Sequence, residues 1–157
     1  MEVVGKNIIN KNISEVWDVM GNQFADVHIW SSNFKDSKAG GQSKLDGLAY
    51  LHRITTTERG ETIQELDAFS EANHSLTYHI SKGAPEIAEK SNATWSLKKL
   101  SDDKTEVSLA FFLEPKAVVP AEMLAKIEMG LAKSANEMAV ELKHYLETGT
   151  PHPNNLK

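Results

Sequence analysis

Apolar residues change their rhythm along the chain. From Ser31 to Glu114 they come in short β-branched and aromatic runs broken by turn residues, and after Pro120 they recur every three or four positions. The first texture predicts an antiparallel meander and the second one long amphipathic helix. The expected strands are 31–37, 48–56, 62–69, 76–82, 91–100 and 106–114, with turn signals at Glu58-Arg59-Gly60 and Asp102-Asp103. Another strand is expected over 3–9. Asn12 then offers a polar cap for a short helix ending near Gly21-Asn22, and Phe24 to Trp30 fits a second. The long helix is expected over 120–147, where Leu124, Ile127, Leu131, Ala135, Met138, Leu142 and Tyr145 form one stripe. Gly149 and Pro151 should stop it. The order is strand, two short helices, six strands, one helix: an α+β chain with a domain over 1–149 and a flexible tail over 150–157.

Alternation within the strands sorts residues by face. A turn centred on Glu58-Arg59 puts Ile54 opposite Ile63, His52 opposite Glu65 and Tyr50 opposite Asp67. Continuing that face through Leu76, Tyr78, Ile80, Ser91, Ala93, Trp95, Leu97, Val107, Leu109 and Phe111 gives a mostly apolar and aromatic lining. The other face, with Arg53, Thr55, Gln64, Thr77, His79, Thr94 and Lys98, is largely polar. To stay in phase, the last hairpin needs a bulge or an odd-membered turn around Asp102-Asp103.

Composition narrows the chemistry. At 157 residues and 17.4 kDa, the chain is one domain that should bury roughly 70% of its unfolded surface. Seventeen basic against 22 acidic residues give a net charge of −5, which argues against a nucleic-acid or anionic-membrane footprint. With no cysteine, disulfides, thiolate catalysis and iron–sulfur clusters are excluded. His28 with Asp26, and His74 with His79, lack metal-ligand spacing, so neither metal nor cofactor is expected. The absence of a long apolar run points to a soluble, cytoplasmic protein.

Five stretches, in order, resemble the SRPBCC superfamily of START and birch-pollen-allergen-like proteins, in its bacterial polyketide cyclase/dehydrase-like branch. They are Ile13 to Met20, the Trp30 segment, Ile63-Gln64-Glu65, Tyr78 to Pro85, and Asn92 to Leu97. The resemblance implies a helix-grip fold: a seven-stranded curved antiparallel sheet wrapped around the C-terminal helix, with an apolar cavity between them. Tyr50 departs from the pattern, standing where bacterial relatives often carry an arginine, and this bears on which ligand is bound. The superfamily contains carriers, receptors, cyclases and cochaperones, so fold alone sets no reaction.

Within this framework the expected ligand-binding residues are Trp30, Tyr50, His52, Glu65, Tyr78, Trp95, Phe111, Leu131, Ala135 and Met138. Tyr50, His52, Glu65 and Tyr78 would form a polar cluster in an apolar wall, the usual make-up of a small-molecule pocket. Binding of a small hydrophobic or aromatic molecule is the leading function. A cyclase/dehydratase-type enzyme would use His52 as general base and Glu65 to orient it. An accessory protein would dock on a partner through exposed apolar residues such as Phe34, Phe112 and Leu113. Monomer and homodimer both fit.

Overall fold

A computed structural model describes residues 1–156. Seven antiparallel strands form one sheet: β1 (Glu2–Ile9), β2 (Asp36–Gly40), β3 (His52–Thr57), β4 (Gly60–Ser70), β5 (Ser75–Lys82), β6 (Ala88–Ser101) and β7 (Lys104–Pro115). Their order across the sheet is β1-β7-β6-β5-β4-β3-β2, so every sequential pair from β2 to β7 is a hairpin or near neighbour and β1 closes beside β7. Between β1 and β2, helix α1 (Ile13–Trp17) runs into a π-helical turn, Asp18–Asn22, followed by a 3-10 segment, Phe24–Ile29. Asn12 caps α1 by accepting from the Ser14 N–H, as its position before the apolar run predicts.

Helix α2 (Ala121–Thr148) begins after Pro120 and ends at Gly149, whose φ of 77° is the left-handed cap a glycine adopts without strain. It lies on β1 and β7. The approach is close because β1 has a glycine there: a Cβ on Gly5 would stand 2.5 Å from the Ala135 carbonyl carbon. Buried side chains of sheet and helix, including Ile9, Trp95, Leu109, Met138 and Leu142, join those of the short helices, Trp17, Phe24 and Val27, in one core. This is the expected helix-grip fold.

The β3–β4 hairpin turns on Glu58-Arg59 and pairs His52 with Glu65 and Ile54 with Ile63, the predicted register. The β6–β7 hairpin shifts register between Lys99 and Ser101, supplying the bulge its phase requires. Two expectations need correction. The second strand occupies Asp36–Gly40 rather than 31–37. The third begins at His52, so Tyr50 belongs to the irregular segment before it and does not pair with Asp67.

A further shift decides which face is which. Leu66 pairs with Tyr78 and Phe69 with Leu76, leaving one extra residue in β4 around Asp67-Ala68. The bulge reverses the alternation of β3 and β4 relative to β5, β6 and β7. Arg53, Thr55, Gln64 and Leu66 are therefore on the buried face with Leu76, Tyr78, Ala93 and Trp95, whereas His52, Ile54, Ile63 and Glu65 are on the other.

Candidate functional site

Arg53 is the centre of the buried polar structure. It is 2% exposed, and its guanidinium is surrounded by neutral groups. Nε donates to Gln64 Oε1 over 2.6 Å, and Nη1 donates to the Phe24 carbonyl over 2.9 Å. Gln64 is its cross-strand partner, so the bond follows from strand pairing, while the bond to Phe24 ties the 3-10 segment to the sheet. The guanidinium carbon lies 3.9 Å from the Phe24 ring centroid, 5.0 Å from Tyr78 and 5.7 Å from Phe34, a cation among three aromatic faces. Nη2 has no hydrogen-bond partner.

Burial lowers the Arg53 pKa, an effect opposed by the neighbouring phenols of Tyr78 and Tyr50. Burial also raises the pKa of Tyr78, against the pull of Arg53 and of Trp95, beside which its phenol stands. Tyr50 is raised by burial too, with Arg53 opposing and Asp26 reinforcing. The Tyr50 hydroxyl is buried, with the Ala25 backbone directed at its oxygen but no acceptor for its own hydrogen. Tyr50 is packed against the core together with Leu45 and Leu48 of the same segment. Two polar groups near each other are thus enclosed and unsatisfied.

Aromatic walls continue from this centre. Phe24 and Tyr78 meet at 5.6 Å between centroids, and Trp30 meets Trp95 edge-on at 6.0 Å. The loop bearing Phe34 is fastened to α2, where the buried Glu141 carboxylate accepts from the Ser32 N–H and the Ser32 hydroxyl, each at 2.6 Å. On α2, Ala135, Met138, Ala139 and Leu142 are buried, whereas Leu124, Ile127 and Leu131 towards its start are only half-buried. Phe111 is half-buried as well.

The expected binding residues thus divide. Trp30, Tyr50, Tyr78, Trp95 and Met138 belong to the interior around Arg53, with Phe111 packed against it. Leu131 is half-buried on α2, outside that cluster. Ala135 is instead a tight contact between helix and strand, with Gly5 beneath it. His52 and Glu65 are opposite one another as predicted but on the outer face, because the β4 bulge reverses the phase. There Glu65 faces Lys44 Nζ at 3.5 Å, and His52 packs on Gly40 and Gly41. The exposed docking residues fare similarly: Phe34 and Leu113 are buried, and Phe112 alone of the three is exposed. Sequence reasoning missed Arg53, Gln64 and Glu141. Only a count of Leu66 and Phe69, two apolar residues three apart in one strand, signalled the bulge that turns Arg53 inward.

Two clefts open on the surface. One of about 310 Å³ is lined by His79, Ala84, Ala88, Lys90 and Asn92, the other, of about 470 Å³, by Ser32, Lys35, Glu58, Asn154, Asn155 and Leu156. Neither has a wall from α2. Among the described residues there is no cluster of three or more potential metal ligands, and no helix is long and apolar enough to cross a membrane.

The sequence matches no family model and no curated protein. Its fold is widely shared. A START superfamily protein from Mycobacterium smegmatis superimposes with a TM-score of 0.73 at 16% identity, over 95% of this chain and 99% of that one. The protein XoxI from Bacillus cereus gives 0.72 at 18%, over 96% and 99%. The di-domain ARO/CYC protein BexL, from the BE-7585A biosynthetic pathway, gives 0.73 at 14%, over 94% of this chain and 46% of BexL. The chain has the START-like helix-grip fold that these proteins share. At such identities the likeness is one of fold.

Proposed function

We propose that this protein is a START-like binding protein, acting in the cytoplasm, that encloses one small apolar or aromatic molecule between its sheet and α2. The observation that carries this reading is the unfinished burial of the α2 stripe. Ala135, Met138 and Leu142 of the stripe are covered, but Leu124, Ile127 and Leu131, towards the start of the helix, stay half-open. Apolar surface left in that state gains about 25 cal/mol for each Å² that a ligand removes from water. Entry would open the cover of the core, to which Leu45, Leu48 and Tyr50 of the segment 41–51 contribute.

Binding is favoured over catalysis because the proposed base, His52, and its orienting carboxylate, Glu65, are outside this interior. Titration with neutral 2-naphthylmethanol, read by tryptophan fluorescence, tests the proposal through Trp30 and Trp95. Saturable 1:1 quenching that Leu131→Arg abolishes is expected. Quenching that never saturates, or that is indifferent to Leu131→Arg in a folded variant, would overturn it.

A further inference from the structure

We infer that Arg53 and Tyr50 together select an apolar molecule carrying a carboxylate, which would accept hydrogen bonds from Arg53 Nη2 and from the Tyr50 hydroxyl. The inference rests on the proposed interior binding and adds the charge of the ligand. Every group that Arg53 meets as a hydrogen-bond donor is neutral, Gln64 Oε1, the Phe24 carbonyl and the Tyr78 phenol, and among the described residues no arginine takes part in an ion pair. A buried cation without a counter-charge is costly, and a ligand of opposite charge would offset that cost. Structure alone does not require it. The bonds that tie Phe24 and Gln64 use only Nε and Nη1, a task that neutral donors could do, and they leave both Nη2 hydrogens over.

Tyr50 supplies the second donor. Its hydroxyl is buried, has no acceptor for its hydrogen and lies near enough to Arg53 for each to influence the other's ionisation. Two unsatisfied donors beside one uncompensated positive charge match the two oxygens and single negative charge of a carboxylate. A neutral acceptor would satisfy the donors but not the charge. A cation would face repulsion. The rings of Phe24, Trp30, Tyr78 and Trp95 suit the rest of the molecule, which should be flat or compact and apolar.

The test compares 2-naphthoate, 2-naphthylmethanol and 2-naphthylmethylammonium at neutral pH, by calorimetry or fluorescence, on wild type, Arg53→Lys and Tyr50→Phe. Wild type should bind the carboxylate at least ~10-fold more tightly than the alcohol, and the ammonium most weakly, as expected for a hydrogen bond to a charged group. Tyr50→Phe should weaken the carboxylate several-fold and more than it weakens the alcohol. It should change Tm little, since the hydrogen it removes has no acceptor within the protein. Arg53→Lys keeps the charge but not the fork, so it should retain part of the preference. If carboxylate and alcohol bind equally, or Tyr50→Phe affects both alike, the inference fails while interior binding stands. If none of the three binds, both fail.

Discussion

Arg53 and Gln64 face each other across the β3–β4 ladder and are joined by a 2.6 Å bond inside the sheet's concave face, where both are buried. Each exists there because of the other. Gln64 offers a carbonyl to a guanidinium that has lost its water, and Arg53 supplies the donor that an enclosed amide oxygen needs. Removing one leaves the other unsatisfied. Arg53→Met and Gln64→Met should each destabilise, whereas the double variant should be about 1–3 kcal/mol more stable than the two losses added together. Denaturant unfolding of all four proteins provides the cycle. Additive losses would mean the bond contributes nothing.

The seat of α2 on β1 depends on the missing side chain of Gly5. A methyl group there would overlap the Ala135 carbonyl carbon and oxygen, at 2.5 and 2.6 Å, and backbone cannot swing aside as a long side chain can. Gly5→Ala should therefore cost about 1–3 kcal/mol in chemical unfolding, although alanine favours regular structure over glycine. By the same contact, Ala135→Trp should prevent folding rather than fill a cavity.

Acid should loosen the join between the end of α2 and the end of β1. Partial burial pushes the Glu147 pKa up, but bonds from Lys143 Nζ and from the Asn10 backbone and side-chain amides outweigh it, leaving the carboxyl below its ordinary 4.5. A group whose pKa is depressed on folding stabilises above its unfolded pKa and loses that contribution as pH falls through the folded value. Stability should thus decline as pH drops below about 4.5, and Glu147→Gln should flatten that part of the profile. Thermal melts between pH 3 and 6 would show it; identical profiles would place the acid sensitivity elsewhere.

His52 and Glu65 make a contrasting pair. They are direct neighbours in the ladder, yet on the outer face, with Lys44 beside Glu65. The double variant His52→Ala, Glu65→Gln should leave 2-naphthoate affinity within about twofold of wild type, since neither side chain faces the aromatic interior and well-separated changes act independently. A tenfold loss would return them to the binding site.

That pair marks where the sequence stopped being legible. Local signals were dependable: the Glu58-Arg59 turn fixed a register, Asn12 capped α1, and Pro120 and Gly149 bounded α2 to within a residue or so. A register tells which residues are opposite, but not which face they share with the rest of the sheet. The extra residue near Asp67-Ala68 changes that without any turn residue to announce it, since Gln64, Leu66 and Ala68 alternate as plausibly as Glu65, Asp67 and Phe69. Arg53 and Gln64 then looked like a solvated face because polar residues usually are. Their burial follows from their pairing with each other, a relationship that composition and hydropathy do not carry. Glu141 was hidden similarly, as one acid on a helix with several, its Ser32 partner distant in sequence.

Nuclear magnetic resonance locates a ligand by the groups it touches, and the three indole N–H signals and the Arg53 Nε–H report from different parts of this core. Titrating labelled protein with 2-naphthoate tests the central claim, that the interior around Arg53 is where a molecule binds. Saturable shifts are expected of the Arg53 Nε–H and of the Trp30 and Trp95 indoles, with Trp17, which packs against Phe69 and His74, moving least. Shifts confined to the surface cleft around His79 and Asn92, with Arg53 and both indoles unmoved at saturation, would contradict it.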